Sequence, residues 1–213
     1  MNTIRQPAVA GTFYPARGGE LHDMLDTLLA AAPSDGLPAP KAMIVPHAGY
    51  IYSGPVAATG YARLQAVAGS IHRVVVMGPS HRVAFHGLAV PDDSIFRTPL
   101  GDISLDTGAI QALLALPQVH VDNEAHRLEH SIEVHLPFLQ EMLESFTLVP
   151  IVVGDATPRE VCDAISMLWD GPETLLIMSS DLSHYHDYET ATRLDRATSH
   201  AIETLAFEKI GYE

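Results

Sequence analysis

Four apolar runs in this sequence each stop at a short cluster of polar, reactive residues. Met43-Ile44-Val45 leads into Pro46-His47-Ala48-Gly49, and Val74-Val75-Val76-Met77 leads into Gly78-Pro79-Ser80-His81. Leu148 to Val153 leads into Gly154-Asp155, and Leu175-Leu176-Ile177-Met178 into Ser179-Ser180-Asp181-Leu182-Ser183-His184. Continuous apolar runs of this length, bounded by Gly or Pro, read as strands buried on both faces of a parallel sheet. Open α/β sheets bind ligands in the crevice beyond the carboxyl ends of their strands. A chain that carries His47, His81, Asp155, Asp181 and His184 to that edge is expected to assemble one polar site there.

Helical patterns alternate with the apolar runs, which is the signature of βαβ construction. The expected fold is therefore α/β, a mostly parallel central sheet flanked by helices. Ser53-Gly54-Pro55 before Val56-Ala57-Ala58 reads as a helix start, with proline near the first position. Thr157-Pro158-Arg159-Glu160 reads as a capping box. The helix after it is expected to put Val161, Ile165, Leu168 and Trp169 on one apolar face, with Cys162 beside Ile165 and Trp169 as a small buried hydrophobe. Tyr188 to Leu205 gives another amphipathic helix. Gly87–Val90, Ile95–Leu100 and Ile103–Leu105 read as shorter, more exposed strands. Asp106 caps a helix that Pro117 would stop. Arg127 to Ser145 has helical spacing, and Pro137 must kink it or mark a fresh start.

Nothing in the 213 residues, 47% of them hydrophobic, marks a linker, so one domain over 1–213 is expected. A domain of that size buries roughly 70% of its unfolded surface. A net charge of −14 with no Lys/Arg cluster argues against nucleic acid and anionic membranes as partners. No run approaches the ~18 apolar residues of a membrane span, and Met1-Asn2-Thr3-Ile4-Arg5 lacks a signal-peptide layout. The default expectation is a soluble cytoplasmic protein. A single cysteine, Cys162, excludes an intrachain disulfide framework.

Of the twelve histidines, His22, His72, His120 and His200 have no setting that points to a role. His47 and His81 differ, because each sits at the first turn beyond a buried strand. Neutral imidazole is the commonest protein metal ligand, and two from neighbouring strand ends can share one ion; a metal-free pair orienting a substrate is the competing reading. Asp181 and His184 lie three residues apart, on one side of the chain if the segment starts a helix. There His184 can act as acid or base, with Asp181 holding its tautomer or binding a metal. The alternative is a helix cap with His184 as an exposed passenger. His126, His130, Glu133 and His135 form a third group. On a helix, His126, His130 and Glu133 share a face, either simply solvated or, with His135, hydrogen-bonding the ligand histidines.

Five motifs, in order along nearly the whole chain, resemble the MEMO family, known in bacteria and archaea as AmmeMemoRadiSam system protein B. They are Arg5-Gln6-Pro7-Ala8-Val9-Ala10-Gly11-Thr12-Phe13-Tyr14-Pro15, Pro46-His47-Ala48-Gly49-Tyr50-Ile51-Tyr52-Ser53-Gly54, Gly78-Pro79-Ser80-His81, Glu129-His130-Ser131-Ile132-Glu133-Val134-His135-Leu136-Pro137 and Ser180-Asp181-Leu182-Ser183-His184. The resemblance implies a fold similar to class III extradiol dioxygenases, which hold non-haem Fe(II) with two histidines and a carboxylate. It implies His47 and His81 as metal ligands, Asp181 and His184 as pocket residues, and His184 as the acid/base histidine. Family members usually run further and supply a cysteine as third ligand. This chain stops at Ile210-Gly211-Tyr212-Glu213, so the expectation is either a chain lacking the family's C-terminal segment or a site of two histidines completed by Asp181, His184 or water.

The functional expectation is a metal-dependent redox protein, with Fe(II) as cofactor and copper or zinc as alternatives. In a dioxygenase-like role His184 would move protons for an aromatic diol or similar substrate bound with O₂, the ligand being a small molecule or a peptide. Tyr14, Tyr50 and Tyr52 either line the pocket or pack as core and rim. The alternative is a metal-free binding module for phosphopeptides or other anions. A third reading is a metal carrier or a partner in a larger system, since the family's bacterial name reflects genes found beside an AMMECR-type protein and a radical SAM enzyme.

Overall fold

The computed structural model describes residues 3–33, 36–206, 208 and 210. Met1, Asn2 and the terminal Gly211-Tyr212-Glu213 lie outside the described residues. The chain forms two compact units, Met1–Ser180 and Asp181–Glu213.

In the first unit the elements run β1 (Ile4–Arg5), α1 (Gly18–Ala31), β2 (Ala42–Val45), α2 (Tyr50–Tyr61), β3 (Arg73–Pro79), β4 (Leu88–Val90), β5 (Ile95–Thr98) and β6 (Gly101–Ser104). They continue with α3 (Thr107–Leu113), β7 (Val119–Val121), α4 (Asn123–Arg127), α5 (Leu136–Met142), β8 (Thr147–Val153), α6 (Pro158–Leu168) and β9 (Thr174–Ser179). The second unit holds α7 (Tyr188–Glu203), capped by Asp187, whose carboxylate accepts from the Thr190 N–H at 2.9 Å.

The main sheet has the order β2-β9-β3-β8-β4-β7, and β2, β9, β3 and β8 are mutually parallel. These are the four apolar runs of the sequence. β4 pairs antiparallel with β8 and parallel with β7. A three-stranded sheet, β1-β5-β6, completes the unit. Val74, Val75, Val76 and Met77 of β3, with Leu148, Val149, Ile151 and Val152 of β8, are fully buried. Burying one such side chain contributes about 1.5–3 kcal/mol before entropy is counted. This centre makes the strand ends a rigid platform.

Several local expectations hold and several change. Asp106 caps α3, accepting from Ala109 N–H, and Thr157 with Glu160 forms the capping box of α6. Pro137 marks a fresh start at the first turn of α5, where its missing N–H costs nothing. Arg127 to Ser145 is therefore no single helix: α4 ends at Arg127, and Glu129-His130 is irregular chain. α2 begins at Tyr50 rather than Ser53, because the Gly49 carbonyl already accepts from Tyr52 and Ser53. Cys162 is exposed, as is Trp169 beyond the end of α6. The buried stripe of that helix is Ala164 and Leu168, with Val161 and Ile165 packed against the core.

Candidate metal centre

β9 lies between β2 and β3, which stand roughly 10 Å apart across it. Val45 is level with Ser179, and Met77 with Met178. His47 and His81 each sit two residues past the end of their strand, so both rings meet over the carboxyl end of β9. Their centroids are 5.1 Å apart, edge to face. His130 joins them, 5.5 Å from the His47 ring and 4.4 Å from the His81 ring. One nitrogen from each of the three lies within 4.8 Å of the other two.

Gly78 explains how His130 arrives. A side-chain carbon there would sit 2.6 Å from Ser131 Oγ, so only glycine lets the Ser131 segment lie against the end of β3. Ser131 Oγ then donates to the Pro79 carbonyl at 2.9 Å, which fixes His130 beside the rim.

Hydrogen bonds fix which nitrogen each ring offers. The Ser179 hydroxyl donates its one proton to the Ser131 carbonyl at 2.6 Å. Its 2.7 Å contact with His47 Nδ1 must therefore be one in which Nδ1–H donates, leaving Nε2 with the lone pair. His81 Nδ1 lies 2.9 Å from Glu129 Oε1. An ionised carboxylate only accepts, so Nε2 of His81 is again the ligand atom. Glu129 Oε1 is also 3.2 Å from His130 Nδ1. Orienting partners of this kind set the tautomer and basicity of metal-binding imidazoles.

Glu129 is only 2% exposed. Burial pushes its carboxyl pKa up, but the backbone N–H groups of His81 and Ser131 and the His81 ring outweigh that and hold it below the ordinary value. It stays ionised and satisfied. His135 lies behind the cluster, with Nδ1 2.7 Å from the Tyr61 hydroxyl. Burial, and then the proximity of the His47 imidazole, push its pKa down to about 3, so it is neutral.

Other expected residues go elsewhere. Glu133 binds Arg5, takes the N–H of Ala8 at 2.8 Å and of Val9 at 3.0 Å, and accepts from the Tyr14 hydroxyl at 2.5 Å. Its carboxylate is an anchor for the N-terminal segment, and Tyr14 belongs to that anchor rather than to a pocket wall. Burial and then Glu133 raise the Tyr14 pKa well above its ordinary value. Tyr50 is also buried and donates to the Val134 carbonyl at 2.7 Å. Tyr52 is 78% exposed, next to Gly49, and Phe13 packs 4.7 Å from the His130 ring. His126 turns away, 3.0 Å from the Ala89 carbonyl. Asp155 does not join the rim; the exit of β8 is tied to residues 85–87, and its carboxylate pairs with exposed His86 at 3.0 Å.

The second unit holds Asp181 and His184 in irregular chain, with His184 Nε2 3.6 Å from Asp181 Oδ2. His184 Nδ1–H donates to the Leu182 carbonyl at 2.8 Å. The α7 cap is Asp187, so Asp181 is not spent on capping.

Sequence reasoning missed Glu129 and Ser179 as orienting groups. A buried acid beside a histidine, and a hydroxyl at the last position of an apolar strand, were the available signals. Among the described residues, no helix is long and apolar enough to cross a membrane.

A family profile described as Memo-like protein matches residues 5–211. A "MEMO1 family protein" of Aquifex aeolicus is 36% identical over 99% of this chain and 78% of its own length. One of Ignicoccus hospitalis is 39% identical over 97% of the chain and 75% of its own length. A third, of Thermotoga maritima, is 38% identical over 94% and 78%.

Proposed function

We propose, starting from the fact that this chain belongs to the Memo-like family, that His47, His81 and His130 hold one divalent metal ion in a redox-active site. The observation that carries the reading is the convergence of three imidazoles whose Nδ1 sides face Ser179 and Glu129, turning the Nε2 atoms of His47 and His81 to ligand duty. The donor set fits. Neutral imidazoles suit iron, copper and zinc, and a bound ion needs donors to close only modestly to reach bonds of about 2.0–2.2 Å. Iron(II) is the ion we favour, on the likeness to non-haem iron enzymes. Bound there, it would supply a Lewis-acidic, one-electron centre with positions left for a ligand.

The chain's own residues supply the rest. Ser179 and Glu129 hold the imidazoles in the binding tautomer, so little reorganisation accompanies metal capture. Phe13 covers one side of His130, and the exposed Tyr52 ring offers an apolar surface to a small aromatic or peptide ligand. His184 takes the acid/base role in this reading, with Nδ1–H donating to the Leu182 carbonyl and Nε2 3.6 Å from Asp181 Oδ2. The partners of this reading are such a ligand and, by family association, an AMMECR-type protein and a radical SAM enzyme.

Anaerobic iron(II) loading followed by elemental analysis tests the site. The reading expects one ion at the rim of each chain, so His47→Ala and His81→Ala each bind one ion fewer than wild type. Folded protein that takes up no iron, copper or zinc at micromolar concentration overturns it. Phosphotyrosine-peptide binding that survives chelation and fails in His81→Ala would establish the metal-free binding module instead.

A further inference from the structure

Away from the rim, α1 and α5 pack side by side and bring together a second set of metal-binding groups. His22 and Asp26 are one helical turn apart on α1, and Glu141 comes from the last turn of α5. His22 Nδ1 is 2.9 Å from Glu141 Oε1, and His22 Nε2 is 3.5 Å from Asp26 Oδ2. One donor atom from each residue lies within 4.8 Å of the other two.

Charge makes this more than a hydrogen-bonded trio. Among the described residues, the salt bridges of Asp26 and Glu141 run only to His22, and neither reaches a Lys or Arg. The Glu141 side chain is 17% exposed, so a largely buried carboxylate and a second one share a single imidazole. Even a protonated His22 leaves the group one negative charge in excess. A divalent cation would bind all three donors and leave the site neutral with His22 uncharged. The side chains of His22 and Asp26 are 52% and 63% exposed, free to close by the ångström or so that coordination requires. An open groove lined by Asp26, Ala62, Gln65 and Glu141 lies alongside, giving room for water ligands.

We propose that His22, Asp26 and Glu141 form a second metal site, for a divalent first-row ion of the zinc class, that staples α1 to α5. One imidazole with two carboxylates is a borderline donor set that favours zinc over magnesium. The i, i+4 pair places two ligands on one helix face, and Glu141 adds the bond between helices.

Zinc is the probe, in equilibrium dialysis with chelator competition on the full chain. Four proteins are compared: wild type, His22→Asn, Glu141→Gln and His81→Ala. The expected result is one zinc fewer, or at least tenfold weaker binding of one zinc, in His22→Asn and in Glu141→Gln than in wild type. His81→Ala should keep that ion, its Tm should rise with zinc, and adding Glu141→Gln to it should abolish the rise. Excess magnesium should displace nothing. If wild type binds one zinc that His22→Asn loses and His81→Ala retains, this site stands and the three-histidine reading falls. Unchanged number and affinity in both His22→Asn and Glu141→Gln, or no zinc on folded His81→Ala, overturns the proposal.

Discussion

Glu129 and Glu133 stand four residues apart in one motif, both buried at 2% and 0% exposure, and do different work. Glu133 faces inward to Arg5, two backbone N–H groups and the Tyr14 hydroxyl. Glu129 faces the rim and holds His81, His130 and the backbone of residues 81, 130 and 131. Arg5 links the two regions, donating to the carbonyl of Glu129 and the carboxylate of Glu133. Burial and charge are alike at both positions; only the partners separate an anchor from an orienting group.

The largest test of that contrast is Glu133→Ala. Removing one partner of a buried ion pair strands Arg5, and should cost about 3–5 kcal/mol in urea unfolding. Metal affinity of the folded protein should stay close to wild type. A variant that unfolds normally but loses metal would exchange the two roles.

Acid should attack the anchor next. Arg5 Nε donates to the His126 carbonyl, and burial pushes the His126 pKa from 6.5 down to about 4. The unfolded chain takes up that proton near its ordinary pKa, while the native site resists. Stability is therefore full above that value, falls as pH drops towards 4, and loses up to roughly 3 kcal/mol from this group. Denaturation midpoints across the window should fall, and fall less steeply in His126→Asn.

Glu129→Gln should do the converse of Glu133→Ala. Metal affinity, read by chelator competition, should drop about 10–100-fold, with a smaller loss of stability. Ser179→Ala removes one orienting bond from one ligand and should weaken affinity about tenfold. Equal metal affinity in both variants and wild type would show that orientation contributes nothing.

How much of this was legible in the sequence follows from where the information lies. β3, β8 and β9 were readable because burial on both faces leaves continuous apolar runs. β2 departs from that expectation: it is the edge strand and alternates exposed Ala42 and Ile44 with buried Met43 and Val45. Its apolar run still marks it, and His47 and His81 follow their runs directly. His130 was misplaced on a helix face because its position depends on a tertiary approach, Ser131 against Gly78, that leaves no periodic trace. Ser179 was read as part of a polar run because its hydroxyl matters only through two partners far away in sequence. In α6 the prominent Trp169 drew the apolar face one residue off, whereas small Ala164 marks the buried stripe.

X-ray absorption on the anaerobically iron-loaded His22→Asn chain addresses the rim most directly, with the α1–α5 cluster disabled. Three imidazole nitrogens at about 2.1 Å, falling to two in His22→Asn/His130→Ala, is the expected spectrum. An iron shell without imidazole scattering, or one unchanged by loss of His130, would contradict the three-histidine site.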